Sequence, residues 1–325
     1  MTSQRAIGGS FLFSPHDTVA ETLTAMLAAE RLPHTLLFYG ARGLGKKTLC
    51  RHMAAALLGE DASCVRRILE DKHPDVRFVE HSGARQGFSV ETLRELAADA
   101  ALRPNEAGGK VYILADCGQI SIPAQNTLLK LLEEPPPGVY FFLTAESRAV
   151  FLPTILSRAV SVGLSPVTEE QCRNALLARG VAPEQAEETV AAFGGNLGRC
   201  LEAVNEPEAL APVRAARAIA QALSAGNEYT MLRTLFPLES DRAFAEAALW
   251  SAAEILGDVC TSKLVPKGTL SGPDREGAKT LATRLSLGQA KRAAEALMRA
   301  GRSVRENANM TLLLAGLSGE LLAQV

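Results

Sequence analysis

A glycine-rich turn between two apolar segments constrains the fold of this chain more than any other feature. The turn reads Gly40-Ala-Arg-Gly43-Leu-Gly45-Lys46-Lys47-Thr48 and lies between a strand-like run at 35–39 and a helix-like run at 49–58. A strand, a glycine turn and a helix in this order are the context of a phosphate-binding loop, or P-loop. Its glycines let backbone N–H groups point at a phosphate, and Lys46 adds a mobile positive charge. The segment therefore predicts an α/β domain built around a nucleotide-binding turn.

The same loop lacks two components of a magnesium–nucleotide site. A P-loop carries Ser or Thr after its lysine to bind Mg²⁺, but this chain has Lys47, whose ammonium offers no lone pair to a cation. Thr48 is no easy substitute, because one step along a helix rotates a side chain by about 100°. The strand at 110–114 is followed by Ala115-Asp116, where such strands commonly end in two acids. Three outcomes stay open at this point: a turn that binds nothing, weak ATP or ADP binding, and real turnover.

Composition narrows the class of protein. With 325 residues, 47% of them hydrophobic and 22% charged, the chain can form about two or three globular domains. A formal charge of -2 excludes a globally basic nucleic-acid binder but leaves room for a local basic patch. No apolar run approaches the roughly 18 residues of a membrane span, and the start has no apolar signal core, so we expect a cytoplasmic protein without membrane contact. Its six cysteines are scattered without a CxxC pair, as is typical of reduced thiols.

The first half of the chain alternates strand-like and helix-like segments, which indicates a parallel sheet flanked by helices. We predict strands at 35–39, 76–80, 110–114, 139–144 and 159–163, and helices at 17–30, 49–58, 90–102 and 124–133. From residue 168 onward strand-like runs disappear, and we predict helices at 168–180 and 183–193 and a third helix opened by residues 194–199. Further helices are predicted at 211–225, 228–236, 241–260, 277–285, 287–300 and 307–323, with a loop at 263–274. The resulting prediction has three domains: a P-loop domain at 1–165, a small helical lid at 166–206 and an all-helical domain at 207–325.

Several further motifs occur in an order that resembles a known family. They are Pro33-His34-Thr-Leu-Leu-Phe38, His73-Pro74-Asp75, Lys110-Val-Tyr-Ile-Leu114, Gln125-Asn126-Thr-Leu-Leu-Lys130-Leu-Leu-Glu133-Glu134-Pro135-Pro136, Phe141-Phe-Leu-Thr144 and Leu152-Pro153-Thr-Ile-Leu-Ser157-Arg158. On these residues the chain resembles the bacterial clamp-loader subunits of DNA polymerase III, which belong to the AAA+ class, and in particular their delta-prime branch. The resemblance implies an AAA+ P-loop domain with a parallel sheet, a helical lid and a C-terminal collar domain for oligomerisation.

The resemblance also implies a function and a set of site residues. It implies a heteropentamer with delta and gamma/tau subunits that uses ATP to place the sliding clamp on primed DNA, as a component of the DNA polymerase III holoenzyme. Ser157-Arg158 matches the family motif whose arginine reaches in trans into a neighbour's ATP site, although Ala159 replaces the usual cysteine. An ordinary surface ion pair is the alternative for Arg158. The residues expected to face a weakly bound or vestigial nucleotide are Gly40, Gly43, Gly45, Lys46, Lys47, Thr48, Asp116, Thr144 at the first sensor position and Arg199 at the second.

Two departures from the family pattern bear on metal binding, and the second of them also bears on the choice between a regulatory subunit and an enzyme. Delta-prime and motor subunits usually carry four zinc-binding cysteines before the His-Pro-Asp motif, whereas this interval contains only Cys64, so we expect no zinc and no other metal. Lys47 and Ala115 argue against the alternative of an ATP-hydrolysing gamma/tau-like motor subunit. A small-molecule kinase is a remoter alternative, for which no acceptor-site residues are evident. Arg199 could equally cap a helix, and the apolar positions Met310, Leu313, Leu314, Leu317 and Leu321 are expected to pack helices of the chain and a subunit collar.

Overall fold

A computed structural model of the chain describes residues 17–80, 88–265, 270 and 272–323. The chain divides between Val167 and Thr168 into two compact units, which are called the first and second units below. The second unit contains the helices of both the predicted lid and the predicted collar. The division into three domains at residues 165 and 206 stays a prediction.

The first unit is built on a parallel five-stranded sheet with the order β2-β3-β4-β1-β5. Its strands are β1 (Thr35–Tyr39), β2 (Val76–Glu80), β3 (Lys110–Ala115), β4 (Val139–Ala145) and β5 (Val160–Gly163). All five predicted strands are present, with ends that agree to within one residue. Their apolar runs are buried because helices cover both faces of a parallel sheet. The strand that leads into the P-loop, β1, lies inside the sheet between β4 and β5.

Six helices of the first unit cover this sheet. They are α1 (Asp17–Ala28), α2 (Lys46–Leu58), α3 (Ala62–Leu69), α4 (Val90–Ala100), α5 (Ile122–Glu133) and α6 (Pro153–Leu156). One apolar core joins α4 and α5 to one face of the sheet, and another joins α1, α2 and α3 to the opposite face. Ser89 and Ser121 cap the helices α4 and α5 through their side chains, as helix N-termini require. The predicted α/β fold of this unit is confirmed.

The short helix α3 was not predicted, and it lies between the P-loop helix α2 and the His-Pro-Asp motif. Asp61 caps it by accepting a hydrogen bond from the backbone N–H of Cys64 at 2.7 Å. Cys64 and Ile68 lie one turn apart and are both buried. Val65 and Leu69 pack against the same core while partly exposed, so the apolar face of α3 is only about two turns long.

The His-Pro-Asp motif forms a buried structural clamp at the start of β2. The carboxylate of Asp75, which is 1% exposed, accepts hydrogen bonds from the backbone N–H groups of Asn105, Glu106 and Ala107 and from the Asn105 side chain, at 2.6 to 3.0 Å. The carbonyl of Asp75 accepts a further hydrogen bond from Val111 at 2.9 Å. The motif therefore fixes the loop before β3, at the edge of the sheet opposite the P-loop.

The second unit contains helices and no strand among its described residues. The helices are α7 (Glu169–Leu177), α8 (Pro183–Phe193), α9 (Leu197–Asn205), α10 (Ala211–Ala225), α11 (Glu228–Leu235), α12 (Arg242–Leu264), α13 (Arg275–Arg284), α14 (Leu287–Arg305) and α15 (Met310–Leu322). The predicted helical segments are present, although α12 and α14 extend further than the sequence indicated. The predicted loop at 263–274 lies partly outside the described residues. None of the described helices of the chain has the length and apolarity that crossing a bilayer requires.

The predicted packing role of the last helix is confirmed within the chain. Met310, Leu314, Leu317 and Leu321 are buried in the core of the second unit, and Leu313 packs against that core while partly exposed. The long helix α12 contributes buried residues along much of its length to the same core. The role of this unit as a subunit collar stays a prediction.

Candidate nucleotide site

The glycine turn lies where β1 ends and α2 begins, as the sequence predicted. Gly40, Gly43 and Gly45 have φ angles of 145°, 87° and 80°, a region that residues with a side chain rarely adopt. A Cβ atom at Gly40 would also lie only 2.4 Å from the carbonyl oxygen of Leu164. The three glycines are therefore required by the backbone of the turn. Since α2 begins at Lys46, its first N–H groups lack helical partners and are available at the mouth of the loop.

Lys46 is folded back onto its own loop. Its ammonium donates hydrogen bonds to the carbonyl oxygens of Gly40 at 2.6 Å and Ala41 at 2.9 Å. The residue is only 6% exposed, and this burial lowers the pKa of Lys46 in spite of the nearby negative charge of Asp116. A phosphate in the loop would have to compete with these carbonyl groups for the ammonium.

Lys47 is paired with two carboxylates at the carboxyl edge of the sheet. Its Nζ lies 2.6 Å from Oδ2 of Asp116 and also donates a hydrogen bond to Glu80. Glu80 and Ala115 are register partners on β2 and β3, which brings Glu80 and Asp116 to the same place. Burial opposes the charge of Lys47, but the hydrogen bonds to Asp116 and Glu80 outweigh this effect and raise its pKa. The ammonium is therefore firmly protonated and bound to the acids that a metal site would need.

Asp116 and Thr144 are joined at the ends of β3 and β4. Asp116 has a left-handed backbone conformation, with φ 57° and ψ 53°, and its N–H donates a hydrogen bond to the Thr144 hydroxyl at 2.9 Å. Thr144 is buried, whereas Thr48 is exposed on the first turn of α2. The structure thus brings Lys46, Lys47, Asp116 and Thr144 to one edge of the sheet.

These donors do not fit a bound magnesium ion. Magnesium needs oxygen ligands in a nearly octahedral arrangement, but the position of the usual hydroxyl ligand is taken by the Lys47 ammonium. Ala115, which is buried at the end of β3, supplies no carboxylate. The remaining acids, Glu80 and Asp116, both contact the Lys47 ammonium, which a metal ion would have to displace. Nucleotide binding at the turn, weak or vestigial, stays a prediction.

Glu80 is a member of this cluster that the sequence analysis missed. It is the last residue of β2, and ligand sites in parallel α/β sheets lie outside the carboxyl ends of the strands. An acidic residue at the carboxyl end of the predicted strand that precedes β3 was the available signal.

Arg158 lies in a different part of the first unit, just after α6. Its Nη1 donates hydrogen bonds to the Thr154 carbonyl oxygen at 3.0 Å and to the Ser157 hydroxyl at 3.2 Å. Its Nη2 lies 2.9 Å from Oε1 of Glu133, the last residue of α5. Within this chain Arg158 therefore forms a surface ion pair, and its role in trans stays a prediction.

The Gln125 side chain connects α5 to the segment that carries Arg158. This buried amide donates hydrogen bonds to the carbonyl oxygens of Ile120 and Val150, at 3.2 and 2.9 Å. Its oxygen accepts a hydrogen bond of 2.7 Å from the N–H of Leu152, which precedes α6. A glutamine on the buried face of a predicted helix was the signal for this role, because buried polar groups need partners.

Arg199 belongs to α9 in the second unit. The guanidinium carbon of Arg199 lies 4.2 Å from the centre of the Phe193 ring. The backbone N–H of Arg199 donates a hydrogen bond to the side chain of Asn196, which caps α9. The capping residue is therefore Asn196 rather than Arg199. The second-sensor role of Arg199 stays a prediction.

Metal-ligating side chains do not cluster in the described ranges of the chain: no group of three or more His, Cys, Asp or Glu residues there could hold an ion. Cys64 is buried, and its thiol lies 3.7 Å from the carbonyl oxygen of Leu58. The expectation of no zinc stays a prediction.

Comparison with known proteins relates the first unit to a replication family. A family model described as DNA polymerase III, delta subunit, matches residues 15–168. The delta' subunit of Pseudomonas aeruginosa is 32% identical over 176 residues, which cover 50% of this chain and 53% of that protein. The delta' subunit of Bacillus subtilis is 29% identical over 182 residues, covering 52% and 53% of the two chains. This chain spans about half the length of the curated relatives it matches.

Other DNA polymerase III subunits and solved structures also match this chain. The tau subunit of Escherichia coli is 32% identical over 167 residues, which cover 47% of this chain and 25% of tau. A gamma subunit-related protein from Thermotoga maritima aligns over 93% of this chain and 99% of its own, with 16% identity and a TM-score of 0.45. Residues 15–168 therefore match the family described as DNA polymerase III, delta subunit, and are similar to the delta' subunits of Pseudomonas aeruginosa and Bacillus subtilis.

Proposed function

We propose that this chain is a stator of a DNA polymerase III clamp loader: a subunit that hydrolyses no ATP itself and lends Arg158 to a neighbouring ATPase subunit. The observation that carries the proposal is the pairing of Lys47 with Asp116 and Glu80. A metal ion normally neutralises the charge that develops on the β and γ phosphates, so a loop without one has little means of hydrolysis.

The proposed assembly is a heteropentamer with delta and gamma/tau subunits, which places the sliding clamp on primed DNA. The family match over residues 15–168 supports membership of such a complex. The all-helical second unit supplies a bundle that could pack against the bundles of other subunits. We expect the complex to act in the cytoplasm as part of the polymerase holoenzyme.

Overall identity does not separate a stator from a motor subunit. The delta' subunit of Pseudomonas aeruginosa and the tau subunit of Escherichia coli are each 32% identical to this chain over their matched regions. The discriminating features are local. Lys47 and Ala115 remove the hydroxyl and one carboxylate from the metal site, and both changes favour the stator.

The first prediction concerns turnover by the purified chain. With ATP and Mg²⁺, its hydrolysis rate should lie at least about a hundredfold below that of an assembled loader, because the missing metal contributes several kcal/mol to the barrier. A phosphate-release assay would measure this. The Lys46→Ala variant is the control, since any residual rate that it retains comes from contamination. A rate comparable to that of the loader, abolished by Lys46→Ala, would contradict the stator function.

A further inference from the structure

Arg158 is bound within its own chain on two sides. Both N–H groups of its Nη1 are occupied by Thr154 and Ser157, on the turn formed by α6. Its Nη2 instead lies 2.9 Å from the carboxylate of Glu133, the last residue of α5. One edge of the guanidinium is therefore anchored to backbone and hydroxyl groups, whereas the other edge contacts an anion.

A carboxylate and a phosphate compete for the same guanidinium edge. Both anions accept paired hydrogen bonds from the planar fork of arginine. A phosphate that approaches Nη2 of Arg158 therefore meets the oxygen of Glu133 already in place. The two side chains are 36% and 47% exposed, so water screens their attraction and an incoming anion can reach them.

The distance between Glu133 and Arg158 is maintained by the rest of α5. Gln125, two turns before Glu133, binds the backbone of Val150 and Leu152 on the segment that leads into α6. Ile155 of α6 and Leu132 of α5 lie in the same apolar core. The ion pair therefore spans two elements that are already fixed to each other, and its formation needs no loop to be ordered.

We propose that Glu133 is a positioning residue for Arg158. The carboxylate of Glu133 holds the guanidinium of Arg158 in the free subunit, and the phosphate of a neighbour's nucleotide displaces it. This inference rests on the proposed action of Arg158 in trans. Glu133 holds Nη2 of Arg158 while no phosphate is bound there, and its carboxylate competes with the phosphate for that nitrogen. Its removal should therefore strengthen nucleotide binding at the neighbouring site.

The test is Glu133→Gln in a loader assembled from all of its subunits, with ATPase rates measured across ATP concentrations. Exposed ion pairs are worth about 0.2–1 kcal/mol, so KM for ATP should fall up to about fivefold, with kcat unchanged. Glu134→Gln is the matched control, because it removes the same charge from the next residue, whose side chain is exposed and forms no ion pair with the described residues. Glu133→Gln should have no effect in a chain that already carries Arg158→Ala.

Three results would separate the possible failures. Suppose that Glu133→Gln and Glu134→Gln both give the KM of the unmodified chain, while Arg158→Ala lowers the ATPase rate of the loader. The inference about Glu133 is then wrong, and the proposed role of Arg158 in trans is retained. A lower kcat for Glu133→Gln, with unchanged melting, would likewise overturn the inference. If Arg158→Ala leaves the loader fully active, the proposed function itself fails.

Discussion

Replacing Arg158 by Ala should slow ATP hydrolysis at the neighbouring site of an assembled loader by about a thousandfold or more. Arginine fingers stabilise the charge that develops on the transferred phosphoryl group and contribute about 10³–10⁵ to kcat in related reactions. The total rate of the loader should fall by the share of that one site. DNA-stimulated phosphate release by the complex measures the effect.

Two other variants test whether charge alone or the guanidinium is needed. Arg158→Lys keeps the charge but loses the fork that binds two phosphate oxygens, so it should be impaired as well. Arg148→Ala removes an exposed arginine from the same region and should leave the rate unchanged. The melting temperature of the Arg158→Ala chain should be nearly unaffected, because the lost ion pair with Glu133 is partly exposed and screened by water. An active Arg158→Ala loader would contradict the proposed function.

Replacing Asp75 by Asn should lower the free energy of unfolding of the first unit by about 2 to 4 kcal/mol. The amide can still accept hydrogen bonds through one oxygen, but its NH₂ group would face N–H donors of Glu106 or Ala107. Asp71→Asn is the matched control in the same loop, where the carboxylate forms only an ion pair with Arg51 at the surface. Asp71→Asn should lower the free energy of unfolding by less than about 1 kcal/mol. Thermal unfolding followed by circular dichroism suits this comparison, since the single tryptophan, Trp250, lies in the second unit.

The pH dependence of this effect has a defined sign. Burial opposes the charge of Asp75, but hydrogen bonds from the N–H groups of Ala107, Asn105 and Glu106 outweigh burial and lower its pKa. The stabilisation is therefore complete above the unfolded pKa of about 3.9 and is lost as the pH falls through the lower folded value. The difference between the unmodified chain and Asp75→Asn should be constant near neutral pH and should shrink below about pH 4. If the difference in free energy of unfolding grew as the pH fell, the stabilising role of the Asp75 carboxylate would be contradicted.

The sequence predicted the sheet well because the burial of parallel strands leaves a strong signal. The runs at β1, β3 and β4 are almost wholly apolar, and Pro135 and Gly138 mark the end of α5. The helix α3 has only eight residues, so its apolar face spans about two turns and gives a shorter periodic signal than the other helices on that face of the sheet.

The contacts of the candidate nucleotide site and of Arg158 could be predicted from the sequence only in part. Contacts between neighbouring residues could be predicted, whereas contacts between distant segments could not. The glycines, Lys46 and Lys47 are local in sequence, so their proximity follows from the turn itself. The contacts of Lys47 with Glu80 and of Glu133 with Arg158 join segments far apart in the chain. Such contacts depend on strand order and helix packing, which no local pattern encodes. The left-handed backbone of Asp116, which turns it toward Lys47, was equally beyond a local pattern.

The central claim is that the P-loop has no magnesium site, because Lys47 replaces the usual hydroxyl ligand and pairs with Glu80 and Asp116. The most direct test is a calorimetric titration of the purified chain with ATP, once with Mg²⁺ and once with a chelator of divalent cations. We predict weak or undetectable binding that magnesium does not strengthen. Binding at least about tenfold tighter with Mg²⁺, equivalent to about 1.4 kcal/mol, and lost in Lys46→Ala, would contradict the account.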